Sequence, residues 1–182
     1  MKTLILLGSP KPGGESAAMA KALMEALPGE AHTLSAYSLK VDPCQDCGFC
    51  RSRFGCPIQD SQGQVFEGIH WADIVVVASP VYFYSVPGPL KTVFDRCQPF
   101  WAARVLRREK PAPKRGAVLL AGGAPSHPGQ FDGALQTIGG WFREIGAVNK
   151  GQVLFPGTDK SALNQRPDIA EQIGALAKIL SE

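Results

Sequence analysis

No segment of the chain holds the roughly 18 consecutive apolar residues from which a membrane-spanning helix is built. The start, MKTLILLGSP, has one lysine and then five apolar or neutral residues before Gly8, too short for a secretory signal. These absences predict a cytosolic protein. Neither sign of charge dominates: charged residues make up 19% and the formal net charge is +3, which argues against nucleic acid or an anionic membrane as the main partner. Internal repeats and low-complexity tracts are lacking. So are the GxxxxGK(S/T) pattern of nucleotide hydrolases and the GxGxxG of dinucleotide folds. There is no even, spaced set of cysteines either. The five present are crowded, four of them between Cys44 and Cys56, so a disulfide framework does not explain them.

What is present suits one domain with a proper core: 182 residues, 45% of them apolar, with both charge signs mixed along the chain. Thr3 to Leu7 is a continuous apolar run ending in Gly8, as expected of a parallel strand buried on both faces. Met19, Leu23 and Leu27 then recur at helical spacing until Pro28 and Gly29. A weaker strand is predicted over about residues 31–37 and a helix over about 62–71. Ile74 to Ala78, β-branched and uncharged, reads as the central strand. Leu90, Val93, Phe94 and Cys97 define one further helix. A polar stretch from Arg104 to Arg115 precedes a strand over 116–121. Phe131, Leu135, Ile138, Phe142 and Ile145 mark a long helix, weakened by Gly139 and Gly140. A fifth strand over about 148–155 and a helix carrying Ile169, Ile173, Leu176 and Leu180 complete five strands alternating with five helices. That alternation predicts a doubly wound parallel sheet.

Ligands of such sheets bind beyond the carboxyl ends of the strands, where strand order reverses. Three strand ends carry turn-forming residues: Gly8 to Ser16, Ser79 to Ser85 and Gly122 to His127. The first offers backbone N–H groups, the hydroxyls of Ser9 and Ser16, the Lys11 cation and a helix N-terminus, a combination that stabilises a phosphate-sized anion. The same residues could form a plain strand-to-helix turn with a serine cap near Ser16. The second loop places Tyr82, Phe83 and Tyr84 in a row. Three consecutive aromatics cannot all face one core, so some stand at the mouth, free to stack on a flat heteroaromatic ligand or on a neighbouring subunit.

These residues resemble a known family. Gly8-Ser9-Pro10-Lys11, the Ser79-Pro80-Val81-Tyr82 loop running into Leu90-Lys91, Phe94-Asp95-Arg96 and the Gly122-Gly123 strand end look like the NADPH-dependent FMN reductases of the flavodoxin-like superfamily, over roughly residues 2–155. The resemblance implies a flavodoxin-like three-layer sandwich with strand order 2-1-3-4-5. It implies that the first loop (Ser9, Lys11, Gly14, Glu15, Ser16) holds the FMN phosphate. The second (Pro80, Val81, Tyr82, Phe83, Tyr84, Ser85) would run along the isoalloxazine ring, and the third (Gly122, Gly123) would cover its remaining edge. NAD(P)H as reductant and a homodimer or homotetramer are implied as well, the latter suited by Phe100 and Trp101 as exposed aromatics. One departure stands out. Where relatives commonly show Asn-Thr before the first helix, this chain has Glu15-Ser16, and a carboxylate beside a phosphate repels it, so Glu15 must point away or the loop is altered.

The cysteine segment reads Cys44-x2-Cys47-x2-Cys50-x5-Cys56-Pro57. Three thiolates at steps of three with a fourth close by can wrap one cubane, whereas structural zinc usually takes two separated pairs, so the run favours a 4Fe–4S cluster. A structural zinc, or free thiols, are the alternatives. The spacing also resembles the compact motif of iron-sulfur flavoproteins, a branch of the same superfamily in which the cluster exchanges electrons with the flavin. Cys97 reads as a buried small hydrophobe, His127 as a solvated loop residue, and Arg104 to Arg115 as a surface that could attract the 2′-phosphate of NADPH. The expectation is one domain, 1–182, with a cysteine-rich insertion at about 42–60, acting as an FMN-dependent oxidoreductase fed by NAD(P)H or a ferredoxin-like donor. A flavodoxin-like electron carrier without its own substrate, and a zinc-stabilised binding module, are the competing classes.

Overall fold

A computed structural model describes residues 1–182. Its centre is a five-stranded sheet in the order β2-β1-β3-β4-β5, from β1 (Lys2–Leu7), β2 (Glu30–Ser35), β3 (Ile74–Pro80), β4 (Lys114–Gly122) and β5 (Ala147–Pro156). Every neighbouring pair is parallel. The order and the wrapping helices are those of the flavodoxin-like fold. β3 is the middle strand and is buried from Ile74 to Ser79, so its continuous apolar run follows from having protein on both faces. β2 is an edge, exposed over most of its length, which is why its apolar signal is weak.

The side-chain alternation of the strands divides the core in two. Ile5, Ile74, Val76, Leu119 and Phe155 face α1 (Glu15–Ala26) and the last helix, α7 (Pro167–Ser181). Leu4, Leu6, Val75, Val77 and Leu120 face the other layer, made by α3 (Gln62–Trp71), α4 (Gly88–Asp95), α5 (Gln98–Val105) and α6 (Asp132–Ile145). Each layer buries an apolar helix stripe against the pleat, at about 25 cal/mol for each Å² of apolar surface withdrawn from water. A short α2 (Phe49–Ser52) lies inside the cysteine segment.

Two expectations change. The single helix expected around Leu90 to Cys97 ends at Asp95; the chain turns at Arg96 and Cys97 and restarts as α5, with Pro99 in its first turn. The apolar spacing of α4 continues through Cys97 and so hid the turn and the second helix beyond it. As expected, α6 is one long helix through Gly139 and Gly140, held by Ala134, Ile138, Trp141, Phe142 and Ile145 in the core. Phe100 is not an exposed contact residue: it is buried against Phe54, Phe66 and His70, with ring centroids 5.0–5.7 Å away. Trp101 is half-buried.

Candidate functional site: three strand-end loops and a cysteine cavity

β1, β3 and β4 are adjacent, and the loops that follow them emerge side by side at the carboxyl edge of the sheet. The reversal of strand order falls between β1 and β3, the position at which open α/β sheets form a crevice. All three predicted loops therefore share one rim.

In the first loop Ser9 and Ser16 are buried and Lys11 is exposed. The Ser9 hydroxyl accepts from the Lys11 N–H and faces the Lys11 carbonyl, both at 3.2 Å, which folds the loop back on itself. α1 begins after Gly14 with no side-chain cap, so Ser16 does not act as the cap that the sequence allowed. The N–H groups of Gly13, Glu15 and Ser16 have no partner within the protein. Unpaired donors at a helix start, next to buried hydroxyls, match an incoming anion. Glu15 turns aside: its Oε2 accepts the Leu163 N–H at 2.7 Å, tying the start of α1 to the β5–α7 connection.

The second loop is a tight hairpin. Tyr82 and Ser85 exchange both backbone hydrogen bonds, at 2.9 and 3.0 Å. The two residues at its tip are in the left-handed region, Phe83 at φ 48° and Tyr84 at φ 63°. Such turns favour Asn and Gly, and a bulky residue there costs on the order of 1–3 kcal/mol. Two successive aromatics pay that cost while burying little: Tyr82, Phe83 and Tyr84 are 46%, 101% and 58% exposed. Strain of this kind collects at ligand-binding positions. Pro80 and Val81 at the root are half-buried, and the Val81 N–H bonds the Ala121 carbonyl, joining this loop to β4. Tyr37 stands close by; partial burial and then the neighbouring Tyr82 hold its phenol above the usual range.

Gly122 and Gly123 open the third loop, where any larger residue would have to displace the side chains of Gln130 or Asp159. A Cβ on Gly122 would lie 2.5 Å from the Gln130 side-chain nitrogen, and one on Gly123 2.7 Å from the Asp159 carboxylate. Gln130 is buried; its Nε2 donates to the Ala124 carbonyl at 3.0 Å and its Oε1 has no partner. The Thr158 and Asp159 N–H groups bond the carbonyls of Gly122 and Gly123. His127 meets the Tyr84 ring edge-on at 5.9 Å, linking the second and third loops. Tyr37, Gln130 and Asp159 escaped sequence reasoning, since nothing local marks them.

The cysteines lie in a different setting. Cys44, Cys47, Cys50 and Cys56 line one cavity of about 160 Å³, together with Arg96, Pro99 and Trp101 among others. Cys44 and Cys47 are exposed, Cys50 and Cys56 half-buried, and none is in a disulfide. Burial first, and then the other three thiols, push the Cys50 thiol up against the opposing effect of a backbone hydrogen bond. No three His, Cys, Asp or Glu side chains converge on a point suited to a single ion. A cubane differs from a single ion in that each thiolate bonds its own iron, so the ligands stand around a volume. Four thiols around one cavity fit that requirement. Cys97 is apart from them, buried beside Gln62; burial pushes its thiol up to about 12.

The family described as NADPH-dependent FMN reductase matches residues 1–160. The chain belongs to this family and is an NAD(P)H-dependent flavin oxidoreductase. Among its relatives is an iron-sulfur flavoprotein of Methanosarcina thermophila, 33% identical over 153 residues, covering 81% of this chain and 76% of the relative. Another is an iron-sulfur flavoprotein of Methanocaldococcus jannaschii, 33% identical over 147 residues, with coverages of 78% and 71%. The fold is also that of the NAD(P)H:quinone oxidoreductase from Methanothermobacter marburgensis, with a TM-score of 0.76, 16% identity, and coverage of 100% of this chain and 98% of that one. No helix is long and apolar enough to cross a membrane.

Proposed function

We propose that the chain is one FMN-binding domain, 1–182, in which the loop insertion at about 42–60 carries a 4Fe–4S cluster on Cys44, Cys47, Cys50 and Cys56. The observation that carries the flavin half is the uncapped start of α1, where three unpaired N–H groups lie beside buried Ser9 and Ser16. Those donors, with Lys11, would neutralise the phosphate. Gly14 keeps the approach open, and Glu15 is held off by Leu163. The strained turn from Tyr82 to Ser85, rooted at Pro80 and Val81, would present aromatic faces and backbone to the isoalloxazine. Gly122 and Gly123 would close its other edge.

Bound FMN supplies two-electron exchange with NAD(P)H and one-electron exchange with other centres. The chain's own residues bind and orient it, and no side chain is assigned as acid or base. The donor is a nicotinamide nucleotide or a ferredoxin-like protein, with an iron-sulfur group or an external molecule as acceptor. A cytoplasmic homodimer or homotetramer, with exposed Tyr82 to Tyr84 near an interface, completes the reading.

The test is an anaerobic absorbance spectrum with iron, sulfide, zinc and flavin quantified on one sample. About one FMN and four iron per chain is the expected result. One zinc and no iron would overturn the cluster. Flavin that fails to bleach when mixed anaerobically with NADPH or NADH would favour an electron carrier over a reductase.

A further inference from the structure

Arg96 occupies the turn between α4 and α5 and is 1% exposed. Its guanidinium reaches both ends of the cysteine segment. Nη1 donates to the Asp42 carbonyl at 2.6 Å and to Asp60 Oδ2 at 2.7 Å. Nη2 donates to Asp60 Oδ1 at 3.3 Å and to Cys56 Sγ at 3.4 Å. Nε is buried with no partner. One side chain thus closes the neck of the loop at Asp42 and Asp60 and touches one of its four thiols.

A buried ion pair is weak support for stability, because desolvating two charges consumes most of their attraction. A neck could be closed more favourably with apolar side chains. A cation whose N–H points at a cysteine sulfur has a more specific consequence. If that sulfur binds iron, each electron added to the group raises its negative charge, and an N–H···S bond from a guanidinium stabilises the reduced form more than the oxidised form. Asp60 lies on the same guanidinium and offsets part of its charge. The other charged residues lining the cavity, Asp46 and Arg51, are exposed, where solvent and salt screen them.

We infer that Arg96 is a positioning residue that clamps the cysteine loop and, through Cys56, raises the electron affinity of the iron-sulfur group, with Asp60 as the counterweight. This rests on the cluster reading above. Were both groups bound, the exchange it would govern is one electron from FMN reduced by NAD(P)H to the iron-sulfur group, with no atom transferred.

The experiment compares wild type, Arg96→Gln and Asp60→Asn, each full-length and reconstituted anaerobically with FMN, iron and sulfide. The fraction of reduced cluster is followed by electron paramagnetic resonance in a mediated titration. Circular dichroism and flavin content report the fold. At the wild-type midpoint, Arg96→Gln should shift the oxidised-to-reduced ratio about tenfold toward oxidised, roughly 59 mV for one electron. Asp60→Asn should shift it severalfold the other way. Opposite signs are what a merely structural clamp would not produce. Unchanged ratios, or shifts of one sign in both variants, would overturn the role of Arg96 and leave the cluster standing. If Arg96→Gln does not fold, the sign of the Asp60→Asn shift decides alone: toward reduced upholds the inference, while toward oxidised or unchanged overturns it. A wild type that retains no iron and sulfide would overturn the cluster reading and this inference with it.

Discussion

The three strand-end loops and the cysteine loop are organised by opposite means. The first three grow directly out of buried strands, so the sheet register sets where they begin, and backbone hydrogen bonds such as Val81 to Ala121 carry that order to the rim. Strain at Phe83 and Tyr84 is tolerated because both ends of their turn are anchored. The cysteine loop leaves an exposed edge strand, contains only one turn of helix, and depends on side chains from the α4–α5 turn and from the segment after α5. Arg96 holds its neck, and Arg107 donates to the Cys50 carbonyl at 2.8 Å. A site on strand ends inherits its geometry from the core. A site on an insertion has to be tethered by particular side chains, and each tether is a point at which it can be broken separately.

Separate breakage is the largest effect expected. Cys47→Ser should abolish iron retention after anaerobic reconstitution while FMN stoichiometry stays near wild type, and Cys97→Ser should keep its iron; loss of flavin with Cys47→Ser would show the two regions to be one unit. Gly133→Ala attacks the other region, since its Cβ would collide with the Tyr84 carbonyl. Overpacking of this kind costs about 1–3 kcal/mol, and FMN should dissociate at least tenfold more readily in a fluorescence titration with iron content unchanged.

Acid should weaken the tethered loop. Burial opposes charge on Asp60, but hydrogen bonds from Arg96, Gln62 and Asp42 outweigh it and hold its carboxyl below the usual range. A lowered folded pKa means stability that is complete above the unfolded value of about 3.9 and lost as pH falls through the folded one. Urea midpoints measured down this range should fall, and less steeply in Asp60→Asn. Phe83→Gly should release turn strain for a net gain of up to about 1 kcal/mol in thermal unfolding, while weakening FMN binding as the proposed role of the turn requires. The smallest effect tests Glu15. Glu15→Ala removes the bond to Leu163, worth about 1–2 kcal/mol. FMN affinity should change by no more than about threefold; a gain beyond tenfold would mean that the carboxylate had faced the phosphate after all.

Much of the fold was legible because its cues are local. Ile74 to Ala78 is a strand by its own composition, and Phe131 to Ile145 a helix by its own period. The three loops announce themselves by glycine, serine and proline at strand ends, and the four cysteines by spacing. The boundary at Arg96 and Cys97 was not legible, because the apolar stripe of α4 runs past the point where the chain turns. Phe100 misled for the same reason: beside Trp101 and ahead of a basic stretch it looks exposed, and only Phe54, Phe66 and His70 around it reveal a core position.

The sequence by itself determined the parallel sheet, the flavin-reductase kinship and the four-cysteine spacing, since each is written in neighbouring residues through periodicity, turn chemistry or motif. Only the tertiary structure decided that Glu15 turns to Leu163, that Gly122 and Gly123 lie under Gln130 and Asp159, and that Arg96 joins Cys56 to Asp60. Those contacts link residues far apart in the chain. Their energies depend on which groups burial leaves without water, and packing alone sets that.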